Sequence, residues 1–292
     1  MKKALIVVLA IAVVVTCVLG MVACGKKAEY TFGKEVVAVN AQYDILTGMS
    51  TGSADVGVMD SIMAGYYMKN SEYKDTMELL PFDLSEEEYG IGAKKGNDAL
   101  IGKINEALIE LYKEDSIIRI GNEFGVSSEN LISLNTVNPK AEATDNSWNT
   151  VVTAKKLIVG YTVFAPIAYT QDGVFTGYDI ELARATVAYL NKKYGAEIEL
   201  EFIEIDWDQK ETLLENGSID LVWNGMTITD ERIEGMSMSV PYLANKQAIV
   251  IMKKDKEKYD LTSLDAFKAS AKDAIVYVES GSAAEEVMVI KK

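Results

Sequence analysis

Apolar and polar positions along the chain alternate between short hydrophobic runs of strand length and longer stretches with helical spacing. Strands are predicted over 35–39, over the run that reaches Asp60, and over 156–161, 198–205, 219–223, 246–252 and 274–277. Leu100, Ile104, Leu108 and Leu111 form the apolar stripe of a helix over 100–112, and a second segment covers 117–125. Gly177-Tyr-Asp-Ile-Glu-Leu182 opens a long amphipathic helix that ends near Tyr194-Gly195. Strands alternating with helices predict an α/β protein. From Val126 to Thr153 the periodicity fades, and Asn138-Pro-Lys-Ala-Glu-Ala-Thr-Asp-Asn-Ser147 has the composition of a linker. The expected organisation is an N-terminal segment 1–23, a block 24–125, a linker 126–153 and a block 154–292.

One stretch concentrates chemistry: Asp220-Leu-Val-Trp-Asn-Gly-Met-Thr-Ile-Thr-Asp-Glu-Arg232. The apolar run 219–223 is interrupted by Asn224 and Gly225, and Thr229-Asp230-Glu231 opens a helix with Arg232 one turn in. Free backbone N–H groups, the Thr227 hydroxyl and a guanidinium converge at the carboxyl end of a strand, which suits a carboxylate. A βα unit whose Arg makes a surface salt bridge accounts for the same residues. Gly52-Ser-Ala-Asp55 echoes Gly217-Ser-Ile-Asp220, so two similar lobes are expected. Asp60 then stands at a strand end where ligands bind in open α/β sheets, or it caps the helix over 61–69. Glu279-Ser-Gly-Ser282 is a second Gly-rich entry to a helix, either an anion seat or an ordinary cap. Trp223, on the buried strand, is read as core.

Composition narrows the chemistry. The chain has 44 acidic against 29 basic residues and a net charge of −15, which becomes −17 once Lys2 and Lys3 are removed. Such an excess argues against nucleic acid or anionic lipid as a main partner. Histidine is absent, which excludes imidazole metal sites and Ser-His or Cys-His catalysis. Cys17 and Cys24 are the two cysteines, so everything after Cys24 is thiol-free. Neither a metal nor a cofactor is expected. Lys2-Lys3 followed by the apolar stretch 4–23 reads as a signal segment, long enough also for a membrane anchor.

Met21-Val-Ala-Cys24 followed by Gly25 resembles the lipobox of bacterial lipoproteins, with Met where Leu is usual. That resemblance implies acylation of Cys24, loss of Cys17 with the signal peptide, and an extracytoplasmic protein anchored to the membrane. The 220–232 stretch, with Ser239-Val-Pro-Tyr242 after it, resembles the signature of bacterial extracellular solute-binding proteins of family 3. The resemblance implies a periplasmic-binding-protein-like type II fold: two α/β lobes joined by a two-strand hinge, with no enzymatic activity. It implies a free amino acid as ligand (glutamine, cystine or another polar one), delivered to the membrane subunits of an ABC importer. Arg232 would then pair with the α-carboxylate, helped by Thr227, Ser282 and the N–H groups near Gly281. Asp60 and a carbonyl near Gly225 would take the ammonium, with Asn224 a further contact. Phe164, Trp207 and Tyr161 would wall the side-chain pocket.

Residues 88–96 resemble the family's second crossover strand, and 89–93 with 248–252 are the expected hinges. The halves, however, stand in inverted order: 154–292 resembles the amino-terminal half and 28–125 the carboxy-terminal half. Circular permutation, with 126–153 joining the old ends, accounts for this. A swapped dimer or a fragment of a tandem array are the rival accounts. Two other functions share the fold: a ligand-sensing lipoprotein, and an enzyme like the cyclohexadienyl dehydratases. The enzyme needs a cleft carboxyl of raised pKa, and no acid in the motifs is free for that role.

Overall fold

The computed structural model describes residues 28–135 and 143–290. The signal-like segment 1–23, both cysteines and part of the expected linker lie outside them. Eight strands carry the fold: β1 (Glu35–Val39), β2 (Val56–Asp60), β3 (Met77–Lys94), β4 (Lys156–Tyr161), β5 (Glu199–Glu204), β6 (Leu221–Thr227), β7 (Leu243–Met252) and β8 (Ile275–Glu279). They form one sheet in the order β1-β8-β2-β7-β3-β6-β4-β5, and the short strand Met236–Met238 pairs with β3.

This order contains two parallel units with an antiparallel pair between them. In one lobe β8 runs parallel to both β1 and β2; in the other β4 runs parallel to both β5 and β6. Every residue of β2 and of β6 is buried, as expected for parallel strands covered on both faces. Strands β3 and β7 belong to both lobes. β7 pairs with β2 over Gln247–Asp60 to Ile251–Val56, and β3 pairs with β6 from Tyr89–Thr227 to Ala93–Leu221. The chain therefore changes lobes near 85–89 and 243–247. The 248–252 stretch expected as a hinge lies inside a lobe, held by its ladder to β2.

Strand β8 comes from the block 154–292 yet lies between β1 and β2 of the block 24–125. One lobe is thus assembled from both blocks. Of the expected tether, 147–153 is helical, not irregular, within the helix Ser147–Ala154. Asp145 and Ser147 accept from the amides of Ala99 and Leu100 at 2.7 and 2.9 Å, satisfying free N–H groups at the start of the helix Asp98–Lys113. The stripe Leu100, Ile104, Leu108 and Leu111 is buried as predicted, in one core with Met59, Tyr89, Phe164, Tyr178, Trp223 and Tyr242. That core is continuous across the two lobes. Among the described residues no helix is long and apolar enough to cross a membrane.

The helix Tyr178–Tyr194 ends at Gly195 in the left-handed conformation, as predicted. It begins under tighter constraint. Gly177 has φ +135°, and a Cβ there would lie 2.2 Å from the Ile167 carbonyl oxygen. This close approach lets Tyr178 N donate to Pro166 O at 2.9 Å and Asp179 N to Ile167 O at 3.0 Å. Asp179 is thereby fixed beneath β6. Gly177→Ala adds backbone strain and a backbone clash, and is expected to lower stability by about 3 kcal/mol. Urea unfolding checks this: a midpoint equal to that of the parent chain would contradict it.

Candidate functional site

The carboxyl ends of β2 and β6 and the starts of the helices Asp230–Gly235 and Ala283–Met288 converge between the lobes. The cavity there is lined on one side by Gln42, Asp60, Gln247, Glu279 and Ser282, and on the other by Thr162, Phe164, Trp207, Asn224, Gly225, Thr227 and Arg232. It measures about 10 Å³, room for about one water molecule. Eight residues expected at a site therefore meet: Asp60, Phe164, Trp207, Asn224, Gly225, Thr227, Arg232 and Ser282. Tyr161 is not on this wall; its ring packs on those of Phe175 and Phe202, with centroids 4.5 and 6.4 Å away. Gly281 contributes a carbonyl just behind the wall. Cys24 lies outside the described residues.

Local geometry explains how Arg232 gets there. The Thr229 side chain accepts from Arg232 N, capping the helix as predicted, and turns the guanidinium inward to 5 % exposure. Nη1 donates to Thr227 O at 2.7 Å and Nη2 to Gly281 O at 3.1 Å, with Glu286 3.6 Å away. Lys210 is a second buried cation. Its Nζ donates to Trp207 O at 3.2 Å and to Gly281 O at 3.1 Å, beside Glu211 at 3.1 Å and over the Trp207 ring. Burial, then the neighbouring Arg232, pushes the Lys210 amine below its usual pKa. One carbonyl of one lobe thus receives two cations of the other.

β6 does not stop at Asn224-Gly225. It continues to Thr227, with the register against β3 shifting between Gly90 and Gly92, and Gly225 has φ +61°. The expected interruption is a bulge. A Cβ on Gly225 would meet Phe164 at 2.7 Å and Tyr89 at 2.9 Å, and its N–H donates to Asp179 at 2.7 Å. Asn224 is committed to Thr162, accepting from its N–H at 3.1 Å and its hydroxyl at 2.7 Å and donating to its carbonyl at 3.1 Å. The Ser282 hydroxyl caps its own helix, accepting from Glu285 N, and donates to Glu279 O at 2.7 Å.

Asp60 makes no cap bond to the helix that follows it. Its carboxylate instead accepts from Gln42 Nε2, Asn245 Nδ2, Gln247 Nε2 and, at 2.7 Å, the Tyr89 hydroxyl. The same two carboxamides on β7 reach Glu87, donating to its Oε1 at 2.6 Å each, while the Thr227 hydroxyl donates to its Oε2 at 2.8 Å. Gln42 also hydrogen-bonds Glu279. Burial raises the pKa of Asp60; burial and then the charge of Asp60 push Glu87 up to about 7 and Glu279 up to about 8. The expectation that no acid in the cleft is free to carry a raised pKa therefore fails. Gln42, Glu87, Asn245, Gln247 and Glu279 were not placed at the site from sequence. The available signal was a carboxamide within the apolar run 246–252. Among the described residues no group of three or more His, Cys, Asp or Glu is arranged to hold a metal ion.

The sequence has relatives. Residues 157–285 match the model of the bacterial extracellular solute-binding proteins, family 3. Over 134 residues the chain is 37 % identical to the arginine-binding extracellular protein ArtP of Bacillus subtilis, covering 45 % of this chain and 47 % of that one. Over 139 residues it is 30 % identical to the glutamine-binding protein of Geobacillus stearothermophilus, covering 45 % and 52 %. A crystal structure of a polar amino acid ABC uptake transporter substrate-binding protein from Streptococcus thermophilus shares 45 % identity over 32 % of this chain and 33 % of that one, with a TM-score of 0.27. The chain spans about half the length of the curated relatives it matches.

The raised carboxyls set a pH dependence. Where a folded-state pKa lies above the unfolded value, the native state keeps a proton that the unfolded state releases. Stability is then full below the ordinary carboxylate range and falls as pH rises through the folded pKa. For Glu87 and Glu279 that window runs from about 4.5 to about 8. The thermal midpoint of the chain without added ligand is expected to decline across it, and less steeply in Glu279→Gln. A midpoint that climbs from pH 5 to pH 8 would contradict the burial of these acids.

Proposed function

We propose that the chain is an extracytoplasmic receptor that encloses a free amino acid between its lobes and delivers it to an ATP-driven importer. The observation that carries this reading is the meeting of Arg232 and Asp60, one from each lobe, across a single cavity. A guanidinium suits an α-carboxylate and a carboxylate suits an α-ammonium, so one small zwitterion would bridge the lobes. Thr227, Ser282 and the N–H groups near Gly281 would assist Arg232. Asp60 and backbone near Gly225 would hold the ammonium, and Phe164 and Trp207 would flank the side chain. The lobes would part about 85–89 and 243–247, where β3 and β7 cross, to admit a ligand that the closed cavity has no room for. The names of the curated relatives support the class, since they concern arginine, histidine, glutamine and cystine.

Two further features belong to this reading. The halves stand in circularly permuted order, supported by β8 lying between β1 and β2 and by the pairing of Glu29–Tyr30 with Val289–Ile290. Cys24 carries the lipid anchor, supported by the lipobox-like sequence. Cys24→Ser is expected to release the protein from the membrane fraction, and full retention would refute the anchor.

A second reading has one observation in its favour. Glu87 and Glu279, with pKa values near neutrality, meet a requirement of a general acid in a cyclohexadienyl dehydratase-like enzyme. Conversion of a cyclohexadienyl acid to an aromatic product, followed by absorbance, would establish it.

For the receptor, truncating Arg232 removes one partner of a buried charge pair. Arg232→Ala is expected to weaken amino-acid binding by roughly 2–5 kcal/mol. Calorimetric titration of protein refolded to strip carried ligand checks this. Binding within threefold of the parent would remove Arg232 from its assigned role.

A further inference from the structure

A zwitterionic amino acid brings one negative and one positive group. With Arg232 facing the carboxylate and Asp60 the ammonium, buried carboxyl groups remain around the cavity with no assigned partner. Glu279 lines the cavity at 4 % exposure, and Glu87 adjoins Asp60 through the shared carboxamides of Asn245 and Gln247. Lys210 acts on Glu279 through its charge, but its Nζ is engaged with Glu211 and the carbonyls of Trp207 and Gly281. Gln42 supplies Glu279 with neutral hydrogen bonds only. Glu87 is hydrogen-bonded to Asp60, so Glu279 is the cavity-lining carboxyl left without a cation of its own.

A second observation is independent of charge. Gln247 lines the same cavity at 1 % exposure, and its Nε2 is used by Asp60 and Glu87. Its Oε1 has no hydrogen-bond donor. A buried carbonyl oxygen without a donor, on a residue that lines a cavity, is satisfied by an N–H or O–H group from whatever fills that cavity. A carboxyl without a cation and an acceptor without a donor make the same demand.

We propose that the cleft selects an amino acid with a positively charged side chain, Glu279 receiving that charge and Gln247 Oε1 accepting one of its N–H groups. The proposal rests on the receptor reading and names the substrate class within it. Glu279 ends β8, three residues before Ser282, and leads into the loop whose Gly281 carbonyl meets Arg232 and Lys210. One loop would then meet both ends of the ligand, the carboxylate near Ser282 and the cationic group at Glu279. Neutral side chains of the same length fill the same space but leave Glu279 holding the proton that burial makes it keep, whereas a cationic group draws it into an ion pair.

Arginine and citrulline test this, because they match in length and shape and differ in charge. The full chain, unfolded and refolded to remove carried ligand, is titrated calorimetrically at pH 7.5 with both, and with lysine and glutamine. Arginine or lysine is expected to bind at least a hundredfold tighter than its neutral counterpart, citrulline or glutamine. In Glu279→Gln that preference is expected to fall at least tenfold, and Glu279→Asp to recover part of it. Both ligands of a pair titrate the same variant, so a general folding defect cannot change their ratio. Equal affinities, a preference for the neutral ligand, or an unaltered ratio in Glu279→Gln would overturn the charge selection while leaving the amino-acid receptor standing. Binding of no amino acid by the well-folded parent would overturn both.

Discussion

Charge held out of water is the constraint on which the rest of this structure depends. Asp60, Arg232 and Lys210 are each at most 5 % exposed, and they gather where two lobes close on each other. An ion in such a place is tolerated only when other groups replace its hydration. The surrounding architecture supplies those groups. Carboxamides from the helix Gln42–Thr51 and from β7 surround Asp60, and backbone carbonyls from both lobes receive the guanidinium and the ammonium. Gly281 O accepts from both cations, so the loop after β8 cannot leave without exposing unpaired donors. Closure of the lobes and satisfaction of the buried charges are therefore one event.

Such an arrangement favours motion of a particular kind. The two lobes share a continuous apolar core, but the polar contacts across the cavity are few and directed. Parting the lobes at the strand crossings would return the ions to water and recover their solvation. Bringing them together around a complementary ligand would exchange water for ligand charge at little net penalty. A cleft lined this way would discriminate by charge more sharply than by shape, because an uncompensated buried ion costs far more than a missing methylene group.

Much of the fold was legible in the sequence because its signals are local. Continuous apolar runs identify β2 and β6, Gly195 ends its helix, and Thr229 caps the helix that carries Arg232. Arg232 and Asp60 could be picked out because each stands at the carboxyl end of a strand or just beyond. The remaining site residues could not be found this way. Asp83-Leu-Ser-Glu-Glu-Glu88 reads as a solvated acidic face, and only the pairing of Asn245 with Glu87 and of Gln247 with Asp60 turns those side chains inward. Tyr161 shows the converse: it ends the right strand, but its ring packs on those of Phe175 and Phe202 and it does not line the cavity. Register between distant strands is not written in any one segment.

That same non-locality lets β8, from the later block, lie between two strands of the earlier one. A parallel strand needs neighbours of the right direction and register, and the covalent path between them is secondary. β8 finds β1 through five consecutive pairs, Ile275–Glu35 to Glu279–Val39, although some 240 residues separate the partners. Its register also fixes the site, since Glu279 at the end of β8 and Asp60 at the end of β2 emerge at the same edge. Had β8 slipped by one residue, its side chains would exchange faces and Glu279 would leave the cavity. The burial of Val276 and Val278 in the core beneath holds that register. The hydrophobic alternation of one strand thereby determines where a carboxylate meets the opposite lobe, whichever end of the chain the strand comes from.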